Sequence, residues 1–216
     1  MKFLEIFFPN ICPVCLECME IGKSICPVCK EKIEKQINLN PPQFFSNKYL
    51  HGEHSVFYYE DAVKTSIANY KFKRKIGIHE FYKPYFNKAF NKVSEIFDYD
   101  YVTAVPVSNK TLITRGFDQS KLLLSDLNID KDKKLNNLIG KKNNVKSQHF
   151  LSKEERRKNV KNAFYLKKRR PNLEDKNIIL IDDIRTTGNT ANEIAKLLIK
   201  RAGVKNVFLF TLAKTS

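Results

Sequence analysis

The chain has 216 residues, of which 42% are hydrophobic, and this is enough for one α/β domain with a small appendage. Its net charge is +16, from 39 Lys and Arg against 23 Asp and Glu. No apolar run approaches the roughly 18 residues of a membrane-spanning helix. The opening Met1–Pro9 carries Glu5 and lacks a small-residue cleavage site, so it is a poor signal peptide. We therefore expect a cytoplasmic protein without a membrane span.

Two copies of the sequence Cys-Pro-Val-Cys stand near the start of the chain, with ten residues between them. Each copy places two thiolates on one tight turn, and two such turns close a tetrahedral four-sulfur site. Zinc is the expected metal because a closed structural site needs no redox activity; an iron–sulfur cluster and disulfides are the less favoured alternatives. The predicted ligands are Cys12, Cys15, Cys26 and Cys29, and Cys18 is either a spare thiol or a competing ligand. Residues 1–40 are therefore predicted to form an N-terminal helical turn and a four-cysteine zinc finger, which zinc stabilises.

The next part of the chain shows helical and strand patterns in turn. Residues 30–36 suggest a short helix, and the aromatic-rich residues 44–59 suggest a strand or hairpin. Residues 61–72 predict a helix, and a second helix is expected over residues 80–97 with an interruption near Pro84.

A strand–loop–helix unit follows. Residues 101–105 predict a strand, and the helix after it is expected to turn Leu122, Leu123 and Leu127 inward. Polar and basic residues near the strand end form a candidate anion site, although any loop between a strand and a helix can carry such residues. These candidates are Ser108, Lys110 and Arg115.

Further elements are predicted downstream. We expect strands over residues 135–139, 163–166 and 204–212, and a polar helix over residues 154–159. A helix over residues 190–201 is expected to stop at Gly203. The alternation of strands and helices from Tyr101 onward predicts a parallel sheet with right-handed crossovers.

The most informative segment is a strand followed by two carboxylates and a loop rich in Thr and Gly. The four aliphatic residues 178–181 indicate a strand that is buried on both faces. Asp182 and Asp183 follow, and residues 186–190 then open a helix. The backbone N–H groups and Thr hydroxyls of such a loop bind a phosphate, and Gly188 allows close approach. Adjacent carboxylates instead suit hydroxyls or a metal ion, so a sugar phosphate would match both the loop and the acidic pair. The simpler alternative is an ordinary turn between a strand and a helix, in which one of these residues caps the helix.

This segment resembles the phosphoribosyl pyrophosphate (PRPP) motif of type I phosphoribosyltransferases. The resemblance implies an α/β fold of that type, with a central parallel sheet, over residues 41–216. It implies that Mg²⁺ binds with PRPP and that Asp182 and Asp183 hold the ribose hydroxyls, directly or through metal-bound water, as the candidate catalytic residues. The 5′-phosphate would be bound by Thr186, Thr187, Gly188, Asn189 and Thr190. The pyrophosphate would be bound by Ser108, Lys110 and Arg115, with Arg156 or Arg157 from a flexible loop.

Several motifs in order along the chain are similar to those of the ComF family of competence proteins, which are phosphoribosyltransferase-like and associated with natural transformation. They are the Cys-x-x-Cys pair, Tyr70-Lys71-Phe72, Pro106, Arg115–Gln119, Gln148, Arg156, Asn159, Ala163-Phe164 and Asp182–Thr190. The chain departs from the usual pattern at Asp118, where Asn is common, and at Lys141, Asn143 and Val145, where Arg, Arg and Thr are common. Lys141 keeps a positive charge but lacks the bidentate geometry of Arg. Within the PRPP motif, Arg185 stands where many members of the wider superfamily have an aliphatic residue.

Positive charge is concentrated in one part of the chain. Residues 131–176 contain sixteen Lys and Arg against five Asp and Glu, and Lys167–Arg170 is the densest run. This pattern predicts either a surface for nucleic acid, bound through its phosphates, or a solvated lysine-rich loop.

The resemblance implies a cytosolic role in the import or handling of single-stranded DNA. Three hypotheses follow for the activity. The chain is a phosphoribosyltransferase that uses Mg²⁺ and an unidentified acceptor, a non-catalytic PRPP sensor, or a competence scaffold. In the last case the zinc knuckle and the basic stretch dock DNA, a helicase or another competence protein.

Overall fold

The computed structural model describes residues 10–20, 22–46, 49–73, 78–142 and 163–215, without the side chains of residues 70–73. The strands in these ranges are β1 (Gln43–Phe44), β2 (Gly52–Tyr58), β3 (Tyr101–Ala104), β4 (Lys134–Leu135), β5 (Ile139–Lys141), β6 (Phe164–Leu166), β7 (Asn177–Arg185) and β8 (Asn206–Lys214). The helices are α1 (Pro27–Glu34), α2 (Asp61–Lys73), α3 (Ile78–Ile96), α4 (Asn109–Arg115), α5 (Gln119–Asp126) and α6 (Asn189–Ala202), and a 3₁₀ turn spans Lys131–Lys133.

Six strands form the central sheet in the spatial order β1-β2-β8-β7-β3-β4. β1 is antiparallel to β2, and every other neighbouring pair is parallel. The predicted α/β fold with a central parallel sheet is thus confirmed. β7 lies between β3 and β8, and its residues 178–181 are fully buried, as expected for a strand covered on both faces.

Helices cover both faces of this sheet. On one face, α3 presents buried residues three or four positions apart, and its Phe86 and Phe90 rings lie 4.7 and 5.5 Å from the ring of Phe210 in β8. On the opposite face, α6 buries Ile194 and Leu198 against a core that includes Leu180 and Leu209. β7 contributes buried residues to both cores, and it carries the acidic pair near its C-terminal end.

The predicted interruption near Pro84 is wrong. Helix α3 continues through Pro84, although proline removes one backbone donor from the helix. Tyr82 and Phe86, on either side of it, are both at most 1% exposed. Burial of these rings therefore outweighs the loss of one hydrogen bond.

The single strand expected over residues 135–139 is also wrong. The structure divides this segment into β4, which pairs with β3 in the central sheet, and β5, which pairs with β6. The predicted strand near residues 163–166 is confirmed as β6, but it belongs to the two-stranded antiparallel ribbon β5–β6. A two-residue turn at 136–137 separates β4 from the ribbon. The predicted helix over residues 154–159 lies outside the described residues.

Helix α4 was not predicted from the sequence. It has no buried residue, so it carries no hydrophobic periodicity. Its ends are nevertheless encoded locally: the Ser108 side chain caps its first turn, and Gly116, with φ of +82°, ends it in the left-handed conformation.

The cysteine-containing segment packs against the main core. Cys12, Cys29 and Ile33 are buried in the same cluster as α2 and α3. The Asn69 amide donates a hydrogen bond of 2.5 Å to the Pro13 carbonyl, and the Tyr85 hydroxyl donates to Glu34. The division between residues 1–40 and 41–216 remains a prediction. Along the described ranges, no helix combines the length and apolar character needed to cross a bilayer.

Candidate functional site

The loop after β7 forms the floor of the candidate site. Gly188 adopts a φ of +71°, which L-residues with a side chain rarely adopt, and it is the N-cap of the 14-residue helix α6. The Asn192 N–H donates to the Gly188 carbonyl over 2.9 Å, which starts the helix. A recess at this helix end is lined by Asp182, Ile184, Arg185, Thr186, Thr187, Gly188, Asn189, Thr190, Ala191 and Leu209. The five predicted phosphate-binding residues are therefore brought together at a helix N-terminus, where backbone N–H groups favour an anion.

The acidic pair lies beside this recess at the end of β7. One carboxylate oxygen of Asp182 accepts hydrogen bonds from the Ser120 hydroxyl at 3.0 Å and from the Asp183 N–H at 2.9 Å. Asp182 and Asp183 are both half-buried, so a ligand reaches them from one side. The bond from Ser120 fixes the orientation of Asp182, and it joins the β3–α5 unit to the β7–α6 unit.

A third carboxylate, Asp118, belongs to the same site. It caps α5 by accepting from the Lys121 N–H at 3.1 Å, and it also accepts from the Val107 N–H at 3.3 Å. Burial raises the pKa of Asp118 above its ordinary value, and the nearby charge of Asp183 raises it further. The sequence singled out Asp118 only as a departure from the family pattern. Its position identifies it as part of an acidic cluster.

Lys141 lies in β5 of the ribbon β5–β6, and the charge of Asp182 acts on it. Burial lowers its pKa, the charge of Asp182 acts in the opposite direction, and Arg115 lowers it again. Its ammonium nitrogen lies 5.6 Å from the centroid of the Phe164 ring on the paired strand, within the range of a cation–π contact. The sequence pointed to Lys141 only as a departure from the family pattern that keeps a positive charge; the structure makes it a half-buried cation on which the charge of Asp182 acts.

The predicted pyrophosphate residues have different surroundings. The Ser108 hydroxyl accepts from the Thr111 N–H at 3.1 Å as the cap of α4, and Lys110 is exposed. Arg115 donates to the Gln119 side chain at 3.3 Å and lies within electrostatic range of Lys141. Arg115 and Lys141 are thus two positive charges that act on each other, and the charge of Asp182 acts on Lys141. Arg156 and Arg157 lie outside the described residues.

The four predicted metal ligands come together in a separate cluster. The sulfur atoms of Cys12, Cys15, Cys26 and Cys29 all lie within 4.8 Å of one another. The Cys15 and Cys26 sulfurs are 3.8 Å apart, which matches the edge of about 3.8 Å for a tetrahedron with metal–sulfur bonds of about 2.3 Å. Cys18 is not part of the cluster.

The donor set of this cluster fits a structural metal ion. Burial and the neighbouring Cys26 sulfur raise the pKa of the Cys29 thiol. Burial likewise opposes ionisation of Cys12, but backbone groups of Cys26, Cys15 and Val14 favour its thiolate and bring its pKa to about 7. Four closely spaced sulfurs of this kind could hold a metal such as zinc, which would stabilise all four as thiolates.

Comparison with known proteins agrees with this geometry. Residues 121–215 match the family model described as phosphoribosyl transferase domain. The chain is 30% identical to the competence protein ComFC of Bacillus subtilis over 162 residues, which cover 74% of this chain and 63% of the relative. The chain is thus similar to the competence proteins of the ComF family.

Two further relatives cover a shorter part of the chain. Competence protein F of Haemophilus influenzae is 35% identical over 114 residues, or 52% of this chain and 49% of the relative. The DNA utilization protein YhgH of Escherichia coli O157:H7 is 35% identical over 120 residues, or 54% of this chain and 50% of the relative. The chain thus spans about half to two thirds of the length of these ComF-like proteins. The family model begins at Lys121 in α5 and includes β7 and α6, so it covers the loop at residues 186–190 and the acidic pair. Together with the parallel sheet, this match identifies the type I phosphoribosyltransferase fold.

Proposed function

We propose that this ComF-like chain binds PRPP with Mg²⁺ and acts in the import or handling of single-stranded DNA during natural transformation. Two neighbouring features support PRPP as the ligand. One is the recess at the N-terminus of α6, which suits a phosphate, and the other is the carboxylate pair beside it, which a hydrogen bond orients. The relatives named competence protein and DNA utilization protein support the cellular role.

Each part of PRPP has a matching group in this proposal. The loop Thr186–Thr190 binds the 5′-phosphate, because its N–H groups and hydroxyls donate to phosphate oxygens. Asp182 and Asp183 accept hydrogen bonds from the ribose hydroxyls or hold water on Mg²⁺. Lys141, on which the charge of Asp182 acts, and Arg115, whose charge acts on Lys141, would neutralise the pyrophosphate. Mg²⁺, when bound, would supply further charge neutralisation at the ribose and pyrophosphate oxygens.

If transfer takes place, it breaks the bond between C1′ of the ribose and the pyrophosphate oxygen. The electron pair leaves with pyrophosphate, positive charge develops at C1′, and a nucleophile on the acceptor forms the new bond from the opposite face. The side chains of this site would act by positioning PRPP and by stabilising the charge on the departing pyrophosphate. Non-catalytic sensing of PRPP uses the same binding groups without this step.

Calorimetric titration of the zinc-loaded protein with PRPP and Mg²⁺ tests the ligand. We expect binding in the micromolar range for the wild type and its loss in the double variant Asp182→Asn/Asp183→Asn, with the fold unchanged by circular dichroism. Asp132→Asn is the matched control, because Asp132 is an exposed carboxylate on the 3₁₀ turn. Equal affinity in the wild type and the double variant would overturn the assignment. Release of pyrophosphate in the presence of candidate acceptors then separates a transferase from a sensor.

We further propose that zinc occupies the cluster of Cys12, Cys15, Cys26 and Cys29 and fixes the N-terminal segment. The buried positions of Cys12 and Cys29 link the metal directly to the core of α2 and α3. Residues 1–40 would then act as a zinc-stabilised appendage of the phosphoribosyltransferase-like domain at 41–216.

The ribbon β5–β6 supports a second function, the binding of single-stranded DNA. Tyr165 is 45% exposed, and its ring lies across Gly140, where a Cβ atom would come within 2.4 Å of the ring. Lys142 follows one strand of the ribbon and Lys167 follows the other, and Lys168–Arg170 are exposed. An exposed aromatic ring beside several cations is the combination that stacks bases and neutralises phosphates along a single strand.

Binding of a fluorescent oligothymidine at several salt concentrations tests this surface. Tyr165→Phe keeps the ring over Gly140 and should bind as the wild type does, whereas Tyr165→Leu should lose about fivefold or more in affinity. Replacing the four basic residues at 167–170 by Gln should reduce the salt slope by about 0.7 for each phosphate contact removed. An unchanged salt slope together with unchanged affinity in Tyr165→Leu would contradict DNA binding by the ribbon and favour a purely solvated lysine-rich segment.

A further inference from the structure

Arg185, the residue that departs from the aliphatic pattern of the PRPP motif, forms a two-point ion pair with Glu53. Its Nη2 lies 3.0 Å from one carboxylate oxygen, and its Nε donates to the other over 3.2 Å. The side chain of Glu53 is only 9% exposed. Such a bidentate arrangement is the strongest and most directional form of an Arg–carboxylate contact.

The pair connects the phosphate loop to a distant strand. Glu53 lies in β2, Arg185 ends β7, and β8 runs between these two strands. The two residues are 132 positions apart in sequence. The contact therefore links the start of the loop to β2, a strand that is not adjacent to β7 in the sheet.

The same guanidinium touches the loop itself. Its Nη1 donates to the Thr186 carbonyl over 3.4 Å, and its Nε would be 3.8 Å from a Cβ atom built on Gly188. The backbone around it is also fixed, because the Arg185 carbonyl accepts from the Thr215 N–H at 3.0 Å. Arg185 is thus one of the residues that line the recess at the N-terminus of α6.

The ion pair with Glu53 limits the ability of Arg185 to bind a phosphate. Glu53 is 7% exposed as a whole residue, and a buried carboxylate without a partner is strongly unfavourable. The guanidinium contacts Glu53 through two of its nitrogens, Nε and Nη2, while Nη1 donates to the Thr186 carbonyl. The positive charge of Arg185 is therefore already compensated by Glu53 before a phosphate binds in the recess.

We propose that Glu53 and Arg185 are positioning residues that hold residues 186–190 in the phosphate-binding conformation, and that Arg185 is not the cation that binds the phosphate. This inference rests on the proposed binding of PRPP at this loop. It assigns to a buried strand residue, far from the motif in sequence, a role in the affinity for the 5′-phosphate.

The test compares Glu53→Gln, Arg185→Met, Arg185→Lys and the double variant Glu53→Met/Arg185→Met with the wild type. Affinity is measured for PRPP with Mg²⁺ and for pyrophosphate with Mg²⁺, which lacks the 5′-phosphate. Hydrogen exchange of the peptide that spans residues 184–192 is measured without ligand. Glu193→Gln, a substitution in α6 beyond the loop, is the matched control.

A positioning role predicts that Glu53→Gln and Arg185→Met each lower PRPP affinity by about tenfold or more, because misplacement of a binding loop is costly. Pyrophosphate affinity should stay the same, and the loop peptide should exchange faster in both variants. The double variant should bind PRPP no worse than either single variant, since the pair acts as one unit. Arg185→Lys keeps the positive charge but not the two-point contact, so its PRPP affinity should lie between those of the wild type and Arg185→Met.

Other outcomes overturn the inference in distinguishable ways. If Glu53→Gln keeps or raises PRPP affinity while Arg185→Met lowers it, then Arg185 is itself a phosphate ligand. If pyrophosphate affinity falls equally, the variants disturb the whole domain and the specific role is wrong. If the wild type does not bind PRPP, the proposed function fails; the exchange rates then decide the inference alone, and unchanged rates in all variants contradict it.

Discussion

The hydroxyl of Ser120 donates a hydrogen bond of 3.0 Å to the carboxylate of Asp182, across 62 positions of sequence. Ser120 is in the first turn of α5, and Asp182 lies in β7 three residues before its end at Arg185; β7 pairs with β3. Two strand–helix units that are unrelated in sequence are therefore joined at the carboxyl edge of the sheet. Parallel α/β sheets bind ligands at this edge, because the loops that follow neighbouring strands meet there.

Removal of this hydroxyl should weaken the ligand site without unfolding the protein. In Ser120→Ala, Asp182 keeps the hydrogen bond from the Asp183 N–H but loses the one from the Ser120 hydroxyl, so the unfolding free energy should fall by only about 1 kcal/mol. PRPP affinity should fall severalfold because the carboxylate is no longer held in one orientation. Ser125→Ala is the control, since Ser125 is exposed on the same helix and its hydroxyl donates to the Leu122 carbonyl within that helix. Equal affinities for the two variants would show that the Ser120 contact does not orient Asp182 for binding.

Asp118 should affect the requirement for Mg²⁺. This carboxylate adds a third negative charge near Asp183, so Asp118→Asn should raise the Mg²⁺ concentration for half-maximal PRPP binding by about threefold to tenfold. Because burial raises its pKa, wild-type Asp118 takes up a proton at a higher pH than an ordinary aspartate does. The Mg²⁺ requirement of the wild type should therefore rise as the pH is lowered toward 5, whereas that of Asp118→Asn should rise less. Titrations at pH 7 and pH 5 measure both effects, and parallel curves for the two proteins would contradict this role.

Lys141 should contribute to binding at a cost in stability. Its pKa is lowered by burial, so the protonated side chain is unfavourable in the folded state below the folded-state pKa. This cost declines as the pH rises from the lowered pKa toward 10.5, where the unfolded chain also loses the proton. Lys141→Met should thus be at least as stable as the wild type at pH 7, with a smaller difference at pH 10, while its pyrophosphate affinity falls.

Urea unfolding at the two pH values and calorimetry with pyrophosphate and Mg²⁺ check this prediction. Lys142→Met is the matched control, because Lys142 is the adjacent residue and is exposed. A loss of stability in Lys141→Met at pH 7 without any change in pyrophosphate affinity would assign Lys141 a structural role through the Phe164 ring.

The cysteine cluster should require its metal for stability. Replacement of Cys26 and Cys29 by Ser should release zinc, and the midpoint of thermal unfolding should fall because two metal-binding thiolates and the link to the α2–α3 core are lost. Cys18→Ser should keep the metal, since Cys18 lies outside the cluster. Elemental analysis and thermal unfolding with and without a chelator measure these changes. Absence of zinc and iron from the purified wild type would refute the metal site.

Contiguous motifs were readable from the sequence. Residues 178–190 carry a buried strand, two carboxylates and a Thr-Gly loop within thirteen positions, and their chemistry does not depend on the rest of the chain. The repeated Cys-Pro-Val-Cys unit likewise predicts the four-sulfur cluster, because spacing alone brings each pair of thiols together. The helices with clear hydrophobic periodicity, such as α6, were placed for the same reason.

The sequence by itself thus determined the local features: the Thr-Gly loop, the acidic pair, the four clustered cysteines and the class of fold. Only the tertiary structure placed Ser120, Asp118 and Lys141 beside the acidic pair and Glu53 beneath Arg185, since these contacts join elements that are distant along the chain. It also decided that α3 continues through Pro84 and that residues 134–141 belong to two sheets. The physical reason is the same in each case. Burial and strand pairing depend on which surfaces meet after the chain has folded, and they outweigh the preferences of any short segment.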